Sequence, residues 1–88
     1  MIRKHIVFTG SVQKVGFRYR ASYAADLFSC KGWAHNEWDG SVVMEIQGEV
    51  ENIDQVVMAI EAGRYVHIEN MDIRAMPMDL EERGFRAR

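Results

Sequence analysis

Between Lys4 and Met76 the spacing of apolar residues switches four times between a period of two and a period of about 3.6. The order of those switches narrows the fold more than any other feature of the chain. Residues 4–12 read as a strand, with Ile6, Phe8 and Val12 on one parity and Gly10 between them. Residues 17–28 read as a helix, because Phe17, Ala21, Ala24, Ala25 and Phe28 form one apolar stripe. A strand over 31–36 carries Trp33. Glu37-Trp38-Asp39-Gly40 reads as a hairpin loop, and residues 41–47 alternate with Val42, Met44 and Ile46 on one face. Ile53, Val56, Val57 and Ile60 mark a second helix, with Asn52 as its expected N-cap, Gln55 in the capping-box position and Gly63 as its stop. Residues 66–76 read as a strand whose parity changes between Ile68 and Met71, which predicts a bulge near Asn70. A last short strand is expected over 82–86.

The order β-α-β-β-α-β predicts an α+β fold: a ferredoxin-like sandwich with an antiparallel sheet in the spatial order 4-1-3-2. Two helices cover one face, and a short fifth strand is added. With 88 residues the chain is expected to form one domain over residues 1–88. This topology brings the turn after strand one and the hairpin after strand two to the same end of the sheet. The third strand lies between those two, so they stand about 10 Å apart, within reach of long side chains.

Composition removes several function classes. The formal net charge is −2, against the basic excess of a general nucleic-acid binder. No apolar run approaches the ~18 residues of a membrane span, and no apolar h-region follows the first residues. A cytoplasmic location without a membrane or nucleic-acid partner is expected. The one cysteine, Cys30, has no partner for an internal disulfide and reads as a small buried apolar residue. His5, His35 and His67 lack metal-ligand spacing, so no metal is expected. The charged surface points to a monomer.

The stretch "GSVQKVGFR", residues 10–18, leads from a strand into a helix N-terminus. Free backbone N–H groups converge there and the helix dipole favours negative charge. Gly16 allows a ligand to approach the backbone, and Arg18 adds a fork of donors that fits a phosphate or carboxylate. An arginine in the first helical turn opposes the dipole, a conflict that a bound anion relieves.

Together with "GWAHNEWDGSV" at 32–42 and "IQGE" at 46–49, this stretch resembles the acylphosphatase family, whose pattern is roughly G-x-V-Q-G-V-G-F-R followed by G-W-V-x-N and D-G-x-V. The resemblance implies hydrolysis of a small-molecule acyl phosphate to a carboxylate and inorganic phosphate, with no cofactor and no metal. It implies that Arg18 binds the phosphate, that Asn36 positions the attacking water, and that the loop amides of Gln13, Lys14, Val15, Gly16, Phe17 and Arg18 form the cradle. The chain departs from the pattern at Lys14, where glycine is usual, at Ala34, where valine is usual, and in "GRYVHIEN" at 63–70, which lacks the common proline. If position 14 needs a positive φ, lysine there costs about 1 kcal/mol or more.

Three other classes compete. An RNA-recognition module shares the element order but needs aromatics on its central strands, and "SVVMEIQ" has none. A metallochaperone needs cysteines in the first loop, and residues 11–18 contain none. A non-catalytic anion-binding or protein-interaction domain of the same fold would use the same residues as the enzyme. Trp38 reads as an exposed hairpin-tip residue that either touches an acyl group or stands idle. Glu81-Glu82-Arg83 reads as a solvated turn, and Arg86 and Arg88 read as free surface charge.

Overall fold

Strand parity decides which side of the sheet the helices cover. In the computed structural model, which describes residues 1–88, the elements are β1 (Ile2–Ser11), α1 (Phe17–Leu27), β2 (Lys31–Asn36), β3 (Val42–Gly48), α2 (Val50–Glu61), β4 (His67–Met76) and β5 (Phe85–Ala87). Ile6 and Phe8 from β1, Ala34 from β2, and Val42, Met44 and Ile46 from β3 are buried under the helices. Phe17, Ala21, Ala24 and Ala25 of α1 and Ile53, Val56 and Ile60 of α2 meet them. Phe8 and Phe17 pack edge to face with ring centroids 4.8 Å apart, which anchors the start of α1 on β1. Burying each of the larger side chains, the phenylalanines, isoleucines, valines and Met44, stabilises the fold by about 1.5–3 kcal/mol.

The sheet order is β4-β1-β3-β2-β5. The first four strands are antiparallel to their neighbours, as a ferredoxin-like fold requires, and β5 joins the free edge of β2 in parallel. The expected bulge is present. Thr9 pairs with Asn70 and Gly10 with Ile68, so Glu69 has no partner in the register. Gly10 has φ +124, and a Cβ on it would lie 2.3 Å from the His67 main-chain oxygen, so only glycine fits beside the bulge.

Two boundaries and one burial differ from the sequence reading. The residue preceding α2 is Glu49, not Asn52, because the N–H groups of Asn52 and Ile53 both bond to the Glu49 carbonyl at 3.0 Å. Asn52 is thus inside the first turn, and no side chain caps the helix. The fifth strand starts at Phe85 rather than residue 82. Of the preceding residues read as a solvated turn, Glu81 and Arg83 are exposed, but Glu82 is nearly buried, with a side chain only 7% exposed.

That burial follows from the connection. To pass from β4 at one edge to β5 at the other, residues 77–84 cross the open face of the sheet at the end where β1 begins. Arg3 lies beneath this strap and is buried. Its guanidinium donates to Gln47 Oε1 at 2.8 Å, Glu45 Oε1 at 3.0 Å and Glu82 Oε1 at 3.4 Å. The Gln47 side chain in turn donates to the Asp79 carbonyl and accepts from the Asp79 N–H, both at 2.9 Å. Burial alone would raise the Glu45 carboxyl, but its hydrogen bonds to His5 and Arg3 hold it below the ordinary glutamate value. Cys30 is buried as expected, and burial pushes its thiol up to about 11.

Candidate active site

The β1–α1 loop takes its shape from two positive-φ residues. Lys14 has φ +62 and Gly16 has φ +80. A Cβ on Gly16 would meet no atom within 4 Å, so glycine is required there by backbone conformation and the space above it is open. Lys14 has no such freedom. Holding a lysine in the left-handed region costs about 1–2 kcal/mol, and the departure from glycine at this position is therefore a strained one.

Gly16 is the N-cap of α1, and no side chain caps the helix. The first intrahelical bond runs from the Arg20 N–H to the Gly16 carbonyl at 2.9 Å. The N–H groups of Phe17, Arg18 and Tyr19 consequently have no main-chain acceptor. No acidic residue stands in that turn, whereas α2 carries Glu51 in its own first turn. The start of α1 thus combines free N–H donors, the positive dipole end and the side chains of Lys14, Arg18 and Arg20, none of which pairs with an acidic side chain.

Asn36 ends β2 at the same end of the sheet, where it pairs with Val42. A cleft of about 150 Å³ is lined by Val12, Lys14, Gly16, Phe17, Arg18, Tyr19 and Asn36. The fold therefore brings Lys14, Gly16, Phe17 and Arg18 together with Asn36, although 18 positions separate Arg18 from Asn36 in sequence. Phe17 contributes only its main chain, since its ring is in the core. Tyr19 and Val12 also line the cleft. The sequence reading did not name Tyr19 there, although its place directly after Arg18 in an uncapped first turn was a usable signal.

Gln13 and Val15 lie outside the cleft. Gln13 Nε2 donates to the Glu37 carbonyl at 2.7 Å and to the Ser41 carbonyl at 2.9 Å. Its side chain thus ties the loop to the β2–β3 hairpin. Val15 packs against the core. The hairpin is itself closed by Asp39, which accepts from the Ser41 hydroxyl at 2.7 Å and the Ser41 N–H at 3.0 Å. These hydrogen bonds lower the Asp39 pKa below its ordinary value. Trp38 at the tip is 97% exposed and is absent from the cleft.

Arg18 and Arg88 are linked, contrary to the reading of Arg88 as free surface charge. One Arg18 guanidinium N–H donates to the Arg88 main-chain oxygen at 2.6 Å. The Arg88 N–H bonds to the Ala34 carbonyl at 2.8 Å, and its guanidinium lies 4.7 Å from the centre of the Trp33 ring. Arg86 is also paired, with its guanidinium 3.9 Å from Glu82. Arg88 thus steadies one side of the Arg18 fork and leaves the other donors for the cleft. The cleft offers cations, amides and a phenol but no carboxylate, imidazole or thiolate, a donor set for an anion.

Known proteins resemble the chain over nearly its whole length. The family profile "Acylphosphatase" matches residues 4–87. A Bifidobacterium longum protein named acylphosphatase is 38% identical over 90 residues, covering 100% of this chain and 93% of the relative. One from Clostridium perfringens is 36% identical over 86 residues, covering 97% of each. The crystal structure of acylphosphatase from Bacillus subtilis superposes with a TM-score of 0.89 at 26% identity, covering 99% of this chain and 98% of that one.

Proposed function

The chain belongs to the acylphosphatase family and shares its activity, hydrolysis of an acyl phosphate to a carboxylate and inorganic phosphate, and we propose that the cleft between Gly16, Arg18 and Asn36 is where this occurs. The observation that carries the assignment is the uncapped, wholly basic start of α1 facing an unpartnered asparagine side chain across the cleft.

The phosphoryl group sits over the first turn of α1. Its oxygens accept from the free N–H groups of Phe17 and Arg18 and from the Arg18 guanidinium, with the Lys14 charge at the rim. Gln13 and Val15 shape the cradle from behind it, by tying the loop to the hairpin and to the core. Negative charge moves onto the oxygens around phosphorus and onto the leaving group as the transition state forms, so fixed donors there lower the barrier without moving. The Asn36 amide oxygen accepts a hydrogen bond from a water and aims it in line at phosphorus. The water oxygen forms the new bond to phosphorus, and the bond to the acyl oxygen breaks with its electron pair. The departing group is a stable carboxylate, so it leaves without a general acid. An amide is too weak a base to take the water's proton, which passes to a phosphate oxygen. The positive groups around the phosphate do the electrostatic work, and the reaction needs neither a metal nor another cofactor.

We further infer one domain over residues 1–88, acting as a cytoplasmic monomer on a small-molecule substrate. The exposed edge strand β4 carries Glu69, Asp72 and Arg74, charges that oppose edge-to-edge pairing. The central strands β1 and β3 turn His5, Val7, Val43 and Glu45 to the open face and no Phe, Tyr or Trp, while Trp33 on the neighbouring β2 is covered by the Arg88 guanidinium, which argues against a nucleic-acid partner. No helix is long and apolar enough to cross a membrane.

Hydrolysis of benzoyl phosphate in the presence of EDTA, by the wild type and Asn36→Ala, tests the assignment. The expected result is turnover without metal, reduced about 10²-fold in the variant with phosphate affinity nearly unchanged. Undiminished turnover in Asn36→Ala would remove Asn36 from the mechanism. Phosphate binding without turnover in the wild type would favour an anion-binding domain.

A further inference from the structure

A second groove adjoins the cleft. It measures about 380 Å³ and is lined by Val15, Gly16, Tyr19, Arg20 and Tyr23. Gly16 and Tyr19 border both spaces, so the two adjoin at the start of α1. Tyr19 and Tyr23 are 78% and 68% exposed. They are four residues apart, so their rings stand one above the other on the helix surface. Neither ring packs in the core.

The two flanks of α1 are distinguishable. Arg18 reaches toward β5, where it donates to the Arg88 main-chain oxygen. Arg20 reaches toward α2, where it donates to the Ala59 carbonyl at 3.0 Å. Asn36 lies on the Arg18 flank, and Tyr23 lines the groove on the Arg20 flank. In-line displacement places the attacking water and the leaving group on opposite sides of phosphorus. A water held by Asn36 therefore directs the acyl group toward Tyr19 and Tyr23.

We propose that the groove of Val15, Tyr19 and Tyr23 is the acyl subsite and that it selects acyl phosphates with a flat aromatic acyl group over small aliphatic ones. The proposal rests on the placement of Arg18 and Asn36 given above. The chemistry of the walls supports it. Two tyrosine rings and a valine offer an apolar surface that a planar ring covers by offset or edge contact, and a methyl group covers poorly. The neighbouring Arg20 is anchored by Ala59, so the groove's far wall is held in place before a substrate arrives.

The test compares kcat/KM for benzoyl phosphate and acetyl phosphate in the wild type, Tyr23→Ala, Tyr23→Phe and Leu27→Ala. Tyr23 is exposed, so its replacement does not threaten folding. Tyr23→Ala is expected to lower the benzoyl-to-acetyl ratio about tenfold, mostly through KM for benzoyl phosphate. Tyr23→Phe keeps the ring and should restore the ratio. Leu27→Ala, an exposed change near the other end of α1, should leave it alone. An unchanged ratio in Tyr23→Ala, with both substrates hydrolysed, overturns the subsite and leaves the Arg18–Asn36 assignment standing. Failure of the wild type to hydrolyse either substrate overturns both.

Discussion

Arg3 and Arg18 occupy opposite ends of the same sheet and have opposite surroundings. Arg3 is buried and bonded to Gln47, Glu45 and Glu82, with only its Nε left unpaired. Arg18 is held by one main-chain oxygen, that of Arg88, beside N–H groups with no main-chain acceptor. A guanidinium whose partners come from the protein fixes the path of the chain. One whose partners are missing is arranged for something that arrives from solution. The same side chain therefore serves architecture at one end and, in the function we propose, substrate at the other.

The largest test of this contrast is Arg18→Gln. Activity and phosphate binding should fall together by about 10³-fold or more, while the thermal midpoint hardly moves. A large stability loss with activity retained would make Arg18 another structural arginine.

Arg3→Met should do the reverse. Removing one partner from a buried ionic network costs about 3 kcal/mol, because Glu45 and Glu82 lose the guanidinium they share and keep only His5 and the exposed Arg86. Urea unfolding should register that loss, with kcat for acyl phosphate unchanged. A fall in kcat at full folding would show that the two ends communicate.

Lys14→Gly gives the smallest effect and sharpens the contrast. The left-handed φ of +62 suits glycine, so the variant should gain about 1 kcal/mol of stability. Phosphate affinity should fall with the lost charge. A stability loss instead would mean that the Lys14 side chain packs in the loop more than its exposed position suggests.

Much of the fold was legible because its signals are local. The faces of β1, β3, α1 and α2 follow from periods of two and 3.6, and the parity change near Asn70 marked the bulge that Gly10 accommodates. The basic, uncapped start of α1 was equally readable, since arginines in a first helical turn are a conflict visible in eleven consecutive letters, Gly10 to Arg20. What escaped was the ownership of particular partners. Asn52 has the right chemistry for an N-cap, but α2 begins three residues earlier than that cap would allow. Gln13 stands in the phosphate motif, and its side-chain amide is spent on the Glu37 and Ser41 carbonyls. Arg88 looked free, and it instead holds Arg18 and covers Trp33.

The order of elements, their buried faces and the anion-seeking turn follow from local chemistry, because they depend on side-chain period and backbone φ over a few residues. The topology read from that order already set Asn36 at the turn's end of the sheet; tertiary structure alone decided that Glu82 reaches Arg3 across 79 positions and that Arg88 closes one side of Arg18. Such pairings arise where the chain crosses the sheet, and a crossing leaves no periodic trace in the residues that it joins.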